Sequence, residues 1–178
     1  RQATGEGATI DVPMFDALFS LLPTAHAVRL YGGAEPRRVG NRHPLSTPFG
    51  CFACADGPVV IAVLGARQWQ ALCAVIGRED LAKDPALASD EGRTREEPRI
   101  RAAIEEWSSG RPAAEAVAAL AAVGIPTALV QSLAEAAASP HAQARGLVTD
   151  LPHPVLGRAP PIGHPVRFGG AKPIAATS

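Results

Sequence analysis

The sequence predicts an α/β fold, and three observations carry that reading. Two short apolar runs, residues 49–52 and 59–63, flank the turn signal Ala55-Asp56-Gly57-Pro58. Trp69, Leu72, Cys73 and Ile76 recur at helical spacing, with Gly77 where a helix ends in a left-handed residue. Further helical patterns then lead to another strand-like run at 125–130. With 178 residues, 47% of them apolar and 19% charged, the chain can bury a core of its own.

Taken in order, residues 8–12 alternate as a short strand does, and Asp11 with Pro13 supplies a helix start. Met14, Phe15, Leu18, Phe19, Leu21 and Leu22 give that helix an apolar face so wide that it calls for a large partner, which is not evident within the chain. Residues 31–48 carry Gly32-Gly33, Pro36, Gly40 and Pro44 and read as a linker, so a domain boundary is expected there. The hairpin follows, then the helix ending at Gly77, then turns at Asp80-Leu81 and Asp84-Pro85.

Residues 93–109 are charged on one side and present Ile100, Ala103, Ile104 and Trp107 on the other, a second amphipathic helix that Pro98 can delay. An Ala-rich helix over 112–123 closes at Gly124 before the strand at 125–130. Ser132 caps a short helix, and Pro140 opens a turn that ends near Gly146. From Leu147 onward Pro152, Pro154, Pro160, Pro161 and Pro165 break the apolar runs, as in extended chain crossing back over a domain boundary.

Charge and cysteine usage narrow the partners. Lys+Arg and Asp+Glu both number 17, so no net field favours nucleic acid or an anionic membrane. The longest apolar stretch, 113–130, is broken by Glu115, Gly124 and Pro126, short of the roughly 20 residues a bilayer requires. Three cysteines are too sparse for a disulfide framework, and no basic-then-apolar leader follows Arg1. A reducing cytoplasm is the expected setting.

Candidate chemistry is thin. Cys51 and Cys54 have the spacing of a redox or zinc pair, but no second ligand pair follows, and an extended strand would point them to opposite faces. The five histidines have no metal-ligand spacing. His43 stands out because Gly40-Asn41-Arg42-His43-Pro44 precedes Ser46, Thr47, Pro48, Phe49 and Gly50, a stretch with the materials of a ligand-covering loop or, equally, of a packed linker. Arg37, Arg38 and Arg42 could meet phosphates or simply be solvated. The Gly5-Glu6-Gly7 glycines precede a strand pattern rather than follow it, and neither a Gly-x-Ser-x-Gly elbow nor a phosphate loop is present. Glu96-Glu97 and Glu105-Glu106 read as a solvated helix face. No catalytic set can be built from these residues.

Several phrases in order resemble one family. They are Gly5-Glu6-Gly7-Ala8-Thr9-Ile10-Asp11-Val12 leading into Phe15-Asp16-Ala17, then Gly40-Asn41-Arg42-His43-Pro44 and Ala55-Asp56-Gly57. Gln68-Trp69-x-x-Leu72, Ile76-Gly77-Arg78-x-Asp80-Leu81 and Asp84-Pro85 follow. Ala122-x-Gly124-Ile125-Pro126 and Ser139-Pro140-x-Ala142-x-Ala144-Arg145-Gly146-Leu147 complete the set. Together they resemble the class III CoA-transferase family, the formyl-CoA and carnitine CoA-transferase group that also includes α-methylacyl-CoA racemase.

The resemblance implies the small α/β domain of such an enzyme, with flanking pieces of a large Rossmann-like, CoA-binding domain. Residues 1–40 would end the large domain and form the linker, 41–146 the small domain, and 147–178 a segment returning to the large one. It implies an interlocked homodimer, acyl-CoA and carboxylic acid as substrates, no covalently bound cofactor, no metal, and a covalent aspartyl nucleophile upstream of this chain. Residues carried over are those of a loop beside the substrate: His43, Ser46, Thr47, Pro48, Phe49 and Gly50. Formyl-CoA transferases have a glycine-rich loop at about this place; only Gly50 is nearby here, a departure that weighs against oxalate. An acyl-CoA racemase, in which a His and an Asp move the α-proton, and a non-catalytic dimerisation or binding module are the alternatives.

Overall fold

A computed structural model describes residues 5–148, 151–155, 157–159 and 163. The chain divides into two compact units, Arg1–Pro44 and Leu45–Ser178.

In the first unit two helices form, α1 (Met14–Ser20) and α2 (Pro23–Leu30). Pro13 is the N-cap of α1, and Pro23 starts α2 where its missing N–H costs nothing. The alternation at 8–12 does not become a strand: these residues have no regular structure, because a strand exists only through a paired neighbour. Nor does a single helix carry the whole apolar set, since Leu21 and Leu22 fall in the link between α1 and α2. Phe15 stacks on Phe19 with centroids 5.9 Å apart, and His26 lies 4.1 Å from the Phe19 ring. Neither helix buries a residue, and Met14 is 84% exposed.

The second unit is built on a three-stranded antiparallel sheet, β1 (Phe49–Phe52), β2 (Val59–Ala62) and β3 (Thr127–Leu129), in the order β1-β2-β3. Phe49 pairs with Ala62 and Phe52 with Val59, as the turn between them requires. Alternation then decides the faces: Phe52, Val59, Ile61 and Val63 point into the core.

Helix α3 (Gly65–Val75) buries Trp69, Leu72 and Cys73 against this sheet's core cluster. With no side-chain oxygen at its N-cap, the start is tied instead by Gln68, which accepts from Leu64 N at 2.7 Å and donates to the Gly124 carbonyl at 3.1 Å. It stops at Gly77, whose φ of 70° lets the Arg78 N–H reach back to the Cys73 carbonyl at 2.8 Å.

A chain of short helices covers the core: α4 (Glu79–Lys83), a 3-10 turn (Pro85–Leu87), α5 (Asp90–Arg95) and α6 (Glu97–Ser108). The helical pattern at 93–109 therefore belongs to two helices. Pro98 lies in the first turn of α6, where it needs no N–H partner, and the chain breaks just before it at Glu96. Asp84 caps the 3-10 turn through Ala86 N at 2.9 Å, and Ser89 caps α5 through Gly92 N at 3.0 Å.

Helix α7 (Ala113–Ala122) begins under the hairpin turn, where Asp56 Oδ1 accepts from Ala113 N at 2.7 Å. Two short helices follow, α8 (Leu133–Ala138), with a capping box between Ser132 and Glu135, and α9 (Pro140–Arg145), capped by Ser139 and closed by left-handed Gly146. The strands β4 (Leu151–His153) and β5 (Gly157–Ala159) pair antiparallel. The remainder of the Pro-rich stretch expected to run as extended chain, including Pro160, Pro161 and Pro165, lies outside the described residues.

Two predictions follow from these contacts. A Cβ at Gly92 would overlap the backbone carbonyl oxygen of Ala86, so Gly92→Ala should destabilise the protein by about 1–3 kcal/mol in urea unfolding. Arg78 forks onto Asp80 through Nε and Nη2, both at 2.8 Å, and this hydrogen bonding holds the Asp80 carboxyl down at about 2, from an ordinary 3.8. Because the folded value is the lower one, its stabilising effect is complete above 3.8 and is lost as pH falls toward 2. Arg78→Ala should return the Asp80 titration, followed by carboxyl NMR, toward 3.8.

Candidate functional site

Residues 46–50 lead directly into the sheet, which is why they are fixed. Thr47, Pro48 and Gly50 are buried, Ser46 and Phe49 half-buried, and the Thr47–Pro48 peptide is cis. Gly50 already belongs to β1, opposite Ile61, and the Pro48 carbonyl accepts from Val63 N at 2.9 Å. His43 belongs to the first unit, where it is half-buried.

What anchors the loop from inside is a residue that the sequence presented only as the charged start of a helix. Arg93 is 1% exposed. Its Nε donates to the Thr47 carbonyl at 2.8 Å, Nη1 to the Leu87 and Ala88 carbonyls at 3.0 and 3.4 Å, and Nη2 to Asp90 Oδ1 at 2.6 Å. The Trp69 ring lies beneath the guanidinium, 5.5 Å away. Helix α5 can bring Arg93 this deep because Gly92 lets its backbone press against Ala86. The next residue, Thr94, donates from Oγ1 to Thr47 Oγ1 at 3.2 Å, so the Thr47 main chain and side chain are both held. Those bonds occupy the Thr47 carbonyl and hydroxyl with structure. The sequence signal for Arg93 was faint: an arginine one turn after Asp90, behind a Ser89 cap.

A second strap joins β1 to α6. Arg101 stacks on Phe52 at 4.6 Å, donates to the Cys51 carbonyl at 2.8 Å, and lies between Glu97 at 2.7 Å and Glu105 at 3.3 Å. Glu97 is thus half-buried in an ion pair, where a solvated face was expected, while Glu106 is exposed as read.

The cysteines are free thiols. Cys51 is on β1 and Cys54 beyond its end, both half-buried, while Cys73 is enclosed in the core. Among the described residues, no group of three His, Cys, Asp or Glu side chains could hold a metal ion. Burial pushes the Cys73 thiol up to about 11 and raises Cys54 as well. Arg37 and Arg38 are exposed in the first unit; His141 is exposed on α9, and His164 lies outside the described residues. A groove of about 430 Å³ runs beside Leu64, Arg67, Ala71 and Val123, but its Gln68 amide is spent on the α3 start. No described helix is long and apolar enough to cross a membrane.

Comparison with known proteins gives a consistent set. The family model described as CoA-transferase family III matches residues 1–177. The chain is 35% identical over 170 residues to an acetyl-CoA:oxalate CoA-transferase of Acetobacter aceti, covering 96% of this chain and 42% of that protein. It is 34% identical over 154 residues to a succinyl-CoA:mesaconate CoA-transferase of Haloarcula marismortui, covering 86% of this chain and 38% of that one. The crystal structure of a CaiB/BaiF family protein from Brucella suis superposes with a TM-score of 0.74 at 30% identity, over 98% of this chain and 45% of its own. The chain thus spans less than half the length of these relatives.

Alkylation should separate the cysteines. At pH 8 Cys73 is expected to react with iodoacetamide about 100-fold more slowly in the folded protein than in urea, from its thiolate fraction alone. Peptide mass spectrometry over a time course would show it, and equal rates in both states would contradict the buried placement.

Proposed function

This chain belongs to CoA-transferase family III, and on that premise we propose that it is part of an enzyme moving CoA between carboxylic acids through an aspartyl acyl intermediate. The nucleophilic aspartate is assigned to sequence outside residues 1–178. Its carboxylate attacks the thioester carbonyl and displaces the CoA thiolate, leaving an acyl-aspartyl anhydride; the thiolate attacks the aspartyl carbonyl and expels the first acid. The second carboxylate then displaces the thiolate from the aspartyl group, and the thiolate takes up the second acyl group as the new thioester, freeing the aspartate. CoA enters as a substrate thioester, not as a bound cofactor.

Within that enzyme, residues 41–146 are read as the small α/β domain, 1–40 as the end of the large CoA-binding domain, and 147–178 as the segment returning to it. His43, Ser46, Thr47, Pro48, Phe49 and Gly50 are the positions assigned to the substrate side. A cytoplasmic, interlocked homodimer is the accompanying assembly. The observation that carries the reading is the family match over residues 1–177 together with the anchored loop at 46–50.

The names of the relatives favour transfer over racemisation, and both pair a CoA thioester with a dicarboxylic acid, oxalate or mesaconate. A small dicarboxylic acid is therefore the acid proposed here. A relative named for oxalate at 35% identity supports keeping oxalate among the acids proposed, alongside the departure around Gly50 that points to other acids.

The full-length protein, incubated with acetyl-CoA or succinyl-CoA and oxalate or mesaconate, should yield the new thioester by liquid chromatography. Changing its upstream aspartate to Ala should abolish that product; undiminished turnover in the variant would overturn the covalent mechanism.

A further inference from the structure

Resting on the loop assignment just made, we propose that Arg93 is a positioning residue for the transfer reaction, clamping the 45–50 loop in its working shape from inside the small domain. A core that needed only volume would be filled at far lower cost by Leu or Met, because a buried cation loses its hydration. Arg93 is 1% exposed and spends that cost on direction. Its planar fork reaches the Thr47 carbonyl, 46 positions away in sequence, while holding Leu87 and Ala88 on the other side.

The neighbouring contacts converge on the same loop. Thr94 Oγ1 donates to Thr47 Oγ1 at 3.2 Å and reaches the Leu45 carbonyl at 3.5 Å, and Val63 N takes the Pro48 carbonyl at 2.9 Å. Two consecutive residues of α5 thus hold Thr47 by both main chain and side chain. On the far side of the guanidinium, the Trp69 ring closes the site, and Asp90 fixes Nη2 at 2.6 Å. The clamp joins the residues before β1 to α5 and to the end of the 3-10 turn, so its loss should loosen the loop leading into β1 before it loosens the pairing of β1 with β2.

The test uses the full-length enzyme with Arg93→Met and Arg93→Lys. Hydrogen exchange by mass spectrometry should show residues 45–50 exchanging at least about 10-fold faster in Arg93→Met, with 59–62 and 69–75 at wild-type rates. Turnover, kcat, should fall up to about 100-fold, with KM for the acyl-CoA within about threefold, as expected when reacting groups are misplaced rather than unbound. Arg93→Lys should recover only part of either quantity, because an ammonium cannot reproduce the fork. Should Arg93→Met fail to fold, Thr94→Val removes only the hydroxyl contacts and should give a smaller change of the same sign in both readouts.

Unchanged exchange of 45–50 overturns the proposal, and so does faster exchange with wild-type kcat. A wild-type enzyme that transfers CoA among none of the substrates above overturns the functional reading instead, and the exchange data still decide whether the clamp exists.

Discussion

A guanidinium taken out of water must find acceptors inside the protein, and in this fold that requirement, at Arg93, binds together parts that hydrophobic contact alone would leave loosely related. The charge is met by three backbone carbonyls and one carboxylate, and its flat face by Trp69. The carbonyls come from the entry to β1 and from the end of the 3-10 turn. Satisfying one side chain therefore fixes the loop before the sheet and the path of the short helices over it. The constraint reaches further back, to Gly92, since only a residue without Cβ lets α5 approach Ala86 closely enough.

The same economy recurs around the second unit. Asp56, in the hairpin turn, caps α7; Gln68, at the start of α3, holds the end of α7; Arg101 and Ser108 tie α6 to the carbonyls of Cys51 and Ala53. Each of these side chains answers a backbone group that burial would otherwise leave without a partner. The apolar core supplies the driving force, with Val59, Ile61, Val63, Leu72 and Ile104 fully enclosed. The polar ties decide the angles at which its covering helices lie.

The first unit shows the opposite case. Its helices form from local signals, a proline at each start and apolar residues at i, i+3 and i+4, yet neither helix buries a residue. An apolar face this exposed is the kind of surface other protein covers.

The sequence by itself determined the elements whose causes are local: the hairpin from its Asp-Gly turn, α3 from its spacing and its Gly77 stop, α8 from its Ser132 cap, and the family from ordered phrases along the chain, whereas the turn read from Pro140 is the helix α9. It misread residues 8–12, because alternation describes a strand's faces but cannot supply the neighbour that makes it one. It joined α5 to α6, because the apolar period runs across a break that the backbone makes at Glu96. Above all it gave Arg93 only as the start of a helix charged on one side. Only the tertiary structure decided that this arginine turns inward, because its place depends on a carbonyl brought to it from 46 residues away, and no local pattern records where that one will be.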